Sequence, residues 1–197
     1  MEIAQDDITK AGSKEIRVLL YVLLVYAIYS VATASYTLIE AFIWPRFFAD
    51  TNSLSPWPFV LLTVPTTLLN LIVAGLSCVW IKARQPRGWW LSGALFSHWV
   101  IISPLTIYTL LMSHVGLDNQ SLFMMNPKGS LYVCFLLICG LWMFVHLSKK
   151  SVLNAFNIDA GKRSSNVGKL FFGGLLFSLL HVLIGGVAGF IVTKIMD

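Results

Sequence analysis

Apolar residues fall in five long runs separated by short polar breaks that carry proline, glycine or clustered charge. The runs cover 18–43, 59–81, 89–112, 131–147 and 170–193. A membrane-crossing helix needs about 20 predominantly apolar residues to span a hydrocarbon core of about 30 Å. The five runs therefore predict five transmembrane helices, the fourth short enough to need its flanks. The breaks are sharp. Trp44-Pro45 ends the first run, Pro56-Trp57-Pro58 opens the second, and Pro86 divides the second from the third. Asn126-Pro127 with Gly129 precedes the fourth, and a polar segment at 157–168 precedes the fifth. The expected fold is an all-α polytopic bundle. A polar tail at 1–17 is followed by a single five-helix domain at 18–197.

Charge orients this bundle. Lys10, Lys14 and Arg17 precede the first run, and Lys82, Arg84 and Arg87 fill the second break. Lys149, Lys150, Lys162, Arg163 and Lys169 lie between the fourth and fifth runs. The alternate connections hold only Arg46 and Lys128. Lys and Arg concentrate on the cytoplasmic side, so the N-terminus is expected in the cytosol and the C-terminus outside. Trp44, Trp57, Trp89 and Trp90 stand at run ends, where interfacial aromatics belong. In this setting the basic clusters are topology determinants that meet anionic lipid head groups. They do not indicate nucleic acid.

Composition agrees. Hydrophobic residues make up 57% of the chain and charged residues 12%, against about 25% charged in soluble domains. No HExxH, GxSxG or Walker sequence occurs, and acidic side chains are too sparse to suggest a carboxylate metal site. Cys78, Cys134 and Cys139 form no CxxC and read as small apolar residues. No enzyme and no metal site is expected. Asn119-Gln120-Ser121 matches a glycosylation sequon, relevant only to a secretory host. Glu40 is expected near the outer interface, His114 and His146 near water at run ends, and Pro65 and Pro104 at kinks within membrane helices.

The candidate chemistry lies inside the runs. Counted from the basic ends at 1.5 Å per residue, His181 and Asn70 lie roughly 18 Å deep and His98 roughly 15 Å deep. Ser30 and Thr33 fall near the same level. Gly174, Ser178, His181, Gly185 and Gly189 share one helical face, and Gly185 and Gly189 form a GxxxG pair. His181 should therefore point into the bundle, neutral and hydrogen-bonded to Asn70 or His98. This layer admits three uses: an interhelical hydrogen bond, a path for a substrate or proton, and axial ligation of a b-type haem by His98 and His181.

The segment WMFVHLSKKSVLNAF at 142–156 resembles the signature of a bacterial inner-membrane family known as domain of unknown function 2569. The matching positions are Trp142, Leu147, Lys150, Val152, Asn154 and Phe156. The chain departs from the pattern at Lys149, Ser151, Leu153 and Ala155, and it adds a fifth span to the family's usual four. The resemblance implies a bacterial inner membrane and no particular activity. Val152 and Phe156, spaced i,i+4 and flanked by Lys149 and Lys150, are expected to anchor a helix on the membrane surface.

The expected function is that of an accessory, stabilising or inhibitory (immunity-type) membrane protein acting through helix contacts. Its partners would be lipids and another membrane protein or a second copy of itself, with no cofactor. A small-molecule or lipid translocator using the polar layer is the alternative, and a bis-histidine haem protein the third.

Overall fold

The computed structural model describes the backbone of residues 2–42, 57–112, 114–115, 120–121 and 127–196. The breaks at Trp44-Pro45 and Pro56, Arg46 and Asn119 lie outside the described residues, as do the side chains of Thr33, Glu40, His114, Lys128 and Gly189. Among the described residues five long helices are present: α1 (Glu2–Phe42), α2 (Trp57–Lys82), α3 (Pro86–Met112), α4 (Pro127–Leu147) and α6 (Arg163–Met196). Each contains a window long and apolar enough to cross a membrane, namely Lys14–Ala32, Val64–Lys82, Pro86–Thr109, Ser130–Leu147 and Ser164–Ala188. A short helix, α5 (Lys150–Ala155), and a 3₁₀ turn (Ala160–Lys162) link α4 to α6. Two residue pairs, His114 with Ser121 and Val115 with Gln120, form a small antiparallel ladder after α3.

Two boundaries differ from the sequence reading. The polar tail is helical from Glu2, continuous with the first span, and α6 begins inside the polar segment at Arg163. Hydropathy marks where lipid begins, whereas a helix propagates into polar sequence once the apolar part has nucleated it. The fourth helix takes in its flank from Pro127, as its short apolar run requires.

The two tight breaks at the basic end are Schellman turns. After α2, Gln85 N–H bonds to the Trp80 carbonyl and Arg84 N–H to that of Ile81, with Arg84 left-handed at φ 52°. After α5, Ile158 N–H bonds to Leu153 and Asn157 N–H to Asn154, with Asn157 at φ 56°. Pro86, unable to continue a helix behind it, starts α3 at once.

Helix α3 is the central element. It packs against α2, α4 and α6, while α1 packs on α2 and α5, and α2 also meets α6. Every side chain from Ser92 to Trp99 is buried. Small residues make this possible, because membrane helices approach closely where side chains are short. A Cβ at Gly93 would strike the Leu170 side chain of α6, and one at Gly140 of α4 would lie 3.0 Å from the Phe96 carbonyl oxygen. Pro65 and Pro104 both lie inside continuous helices.

Candidate functional site

The polar residues of α2, α3 and α6 meet. His181 Nε2 is 3.1 Å from the Asn70 side-chain oxygen, and its Nδ1 is 3.0 Å from the Phe177 carbonyl oxygen one turn back. A carbonyl only accepts, so Nδ1 carries the proton. In a neutral imidazole Nε2 is then a lone pair that needs a donor. Asn70 supplies one when its NH₂ group faces the ring, an exchange of two near-indistinguishable atoms. That assignment satisfies both nitrogens without placing a charge in the apolar interior.

The same logic fixes His98. Ser178 Oγ donates to the Gly174 carbonyl at 2.8 Å, so it accepts from His98 Nδ1–H at 2.9 Å. His98 does not hydrogen-bond to His181, as one reading of the sequence allowed. The rings stack instead, with centroids 4.3 Å apart and planes 26° from parallel. Phe177 meets both edge-on, at 5.2 Å from His98 and 4.6 Å from His181. The haem reading meets a geometric objection here. Axial ligands stand on opposite faces of a porphyrin, and two rings already in stacking contact leave no slot for one. Among the described residues no three His, Cys, Asp or Glu side chains converge as metal ligands.

The small-residue face of α6 is used over half its length. At Gly174 a Cβ would collide with Ser97, its backbone carbon at 2.9 Å and the His98 nitrogen at 3.0 Å. The neighbouring Gly173 faces Trp90 and Ala94 in the same way. At Gly185, by contrast, nothing lies within 4 Å of the Cβ position. Gly185 is therefore not a close packing point among the described residues, and the GxxxG pair, which the sequence left open to an internal or an external helix, is not matched within them at this position. Ser30 does not join the histidines; it is buried on α1 beside Tyr26, which also bonds to Trp99.

A second polar contact lies at the basic end, and sequence reasoning missed it. His146 is buried, and its Nε2 lies 2.9 Å from the Glu15 carboxylate. Lys149 approaches the other carboxylate oxygen at 3.4 Å. His146 was expected to reach water; α1 covers it. Trp89, expected in the interfacial belt, is also buried, and its indole N–H donates 3.0 Å to the Leu147 carbonyl. That bond satisfies one of the orphan carbonyls at the end of α4. Acid, histidine and lysine at such a boundary were the only signal available, and the partners are 131 residues apart.

The 142–156 segment needs the clearest correction. Val152, Leu153 and Phe156 are almost fully buried, with Phe156 at 0% exposure, so they plug the bundle rather than anchor it on a membrane surface. The short α5 folds back on α1, so its apolar side chains face inward. Lys150 and Asn154 face outward, and Trp142 is exposed on α4. The three cysteines are free and half-buried. Comparison with protein-family models, curated proteins and solved structures yields no match to this chain.

Proposed function

We propose that this protein is a multi-pass component of the bacterial inner membrane, N-terminus cytosolic and C-terminus outward, without chemistry of its own. It acts as an accessory, stabilising or inhibitory (immunity-type) subunit through helix–helix contacts with another membrane protein or a second copy. The observation that carries this reading is the open glycine at position 185. It continues the face that seats Gly174 against the α3 backbone, yet among the described residues nothing lies within 4 Å of its Cβ position. In lipid, a small residue on an accessible helix face lets another backbone approach closely. The polar layer takes the structural role in this reading, with Asn70, His98, Ser178 and His181 serving one another.

The mass of the complex extracted in mild detergent tests the proposal. Wild type should migrate as an assembly larger than one chain, Gly185→Leu as the single chain, and Val187→Leu as wild type. A wild-type monomer, or an assembly indifferent to Gly185→Leu, would refute it. The orientation has its own test. Cysteines placed at Lys10, Arg84 and Arg163 should resist an impermeant thiol reagent in intact cells, while those at Asn52 and Asn119 should react. Labelling at Arg84 would reverse the topology.

A further inference from the structure

Between α1 and α4 lies a cleft of about 300 Å³ that opens sideways from the bundle. Tyr21, Val25 and Tyr26 of α1 form one wall, Phe135 and Cys139 of α4 the other, and Trp99 of α3 the back. The two helices are tied at two levels. At the basic end Glu15 reaches His146 and Lys149. Further along, Tyr29 stacks on Tyr132 with centroids 4.7 Å apart. Between these ties the walls stand apart. From Tyr21 to Tyr29 is roughly 12 Å at 1.5 Å per residue. One leaflet of a hydrocarbon core of about 30 Å is of similar depth. A slot that is apolar throughout, open to lipid and about one leaflet long matches an acyl chain.

Charge at the mouth selects the head group. Lys14 and Arg17 lie two turns and one turn before Tyr21 on the same face of α1. Lys149 and Lys150 follow the end of α4, and all four side chains are exposed. Glu15, the acidic side chain at this level, is already engaged by Lys149 and His146. Among the described side chains the mouth therefore carries a net positive charge at the depth of a phosphate group.

We propose that the α1–α4 cleft binds one anionic phospholipid of the leaflet at the basic end, with an acyl chain against Val25, Tyr26 and Trp99 and the phosphate held by Lys14, Arg17 and Lys150. The site rests on the membrane reading and not on helix contacts at Gly185, so the two stand or fall separately.

The test is retention of phosphatidylglycerol and phosphatidylcholine of identical chains by the purified full-length protein, read by native mass spectrometry. Wild type should retain phosphatidylglycerol at least five-fold better. Lys14→Gln with Arg17→Gln should weaken that lipid roughly five-fold per charge removed and weaken phosphatidylcholine less, because its choline offsets the phosphate charge. Val25→Trp should lower retention of both lipids about ten-fold by filling the slot. Val25 is exposed and the two basic residues lie at the surface, so folding is not at stake. Equal retention of the two lipids by wild type would overturn the proposal, as would unchanged retention by Val25→Trp. A photo-crosslinker at Val25 that captures a polypeptide in native membranes instead of lipid would do the same.

Discussion

From Leu170 to Ser178, one face of α6 is buried in the bundle; from Val182 to Ile191, Ala188 is buried and the other described side chains are half-buried or exposed. Both halves are apolar and both carry glycines. In the first, Leu170 is wholly buried and Gly173 and Gly174 admit α3 almost to backbone contact. In the second, Val182, Val187 and Phe190 are each at least 60% exposed, and Gly185 faces open space. A cavity of about 330 Å³ lies between Pro65 of α2 and Leu183, Ile184 and Val187 of α6. The divide falls at His181. Below it α6 has α3 as a close neighbour; beyond it, α2 stands off across that cavity. Glycine content therefore does not say where a membrane helix is packed. What matters is whether a neighbouring helix has small residues at the matching level, as Ser97 does for Gly174.

The largest expected effect is at Gly174. Gly174→Leu forces α3 away through a backbone collision and should cost roughly 3 kcal/mol or more, read as a large fall in detergent melting temperature. A stable Gly174→Leu protein would mean that the two halves are equally loose. At the boundary, His181→Leu removes the bridge to Asn70 and should cost about 1 kcal/mol, with His181→Gln milder because an amide can still pair. Nitrogen NMR of the imidazoles should find both His98 and His181 neutral and protonated at Nδ1. Protonation at Nε2 of either would contradict the hydrogen-bond assignment made from Phe177 and Ser178. Smallest of all, Gly185→Leu should leave the stability of the isolated chain within about 0.5 kcal/mol of wild type. A loss as large as at Gly174 would erase the distinction between the halves.

The comparison also shows what a sequence of this kind reveals. The five spans were legible because lipid demands about 20 apolar residues in a row, a one-dimensional property. The meeting of Asn70, His98 and His181 was legible too, since depth follows from counting residues along oppositely running helices. Facing was not. Hydropathy is nearly uniform around helices that lie among lipid and other apolar helices, so no stripe tells inside from outside. Phe156 and Val152 looked like surface anchors beside their lysines, because nothing in the local sequence shows α5 turning back onto α1. His146 and Glu15 each looked like a solvated end residue, and only the folded chain joins them. The stacking of His98 on His181, instead of a hydrogen bond, depends on ring orientations that spacing cannot supply.

The central claim is that the outer half of α6 is a contact surface for another membrane helix. The most direct measurement is short-range thiol crosslinking in native membranes, with Cys78, Cys134 and Cys139 replaced by alanine. A cysteine at Gly185 should crosslink to a transmembrane polypeptide, a second copy or a different protein. A cysteine at Val187, on the opposite side of the helix but equally within the hydrocarbon layer, should not. Crosslinking from Val187 and Gly185 alike, or from neither, would contradict the account.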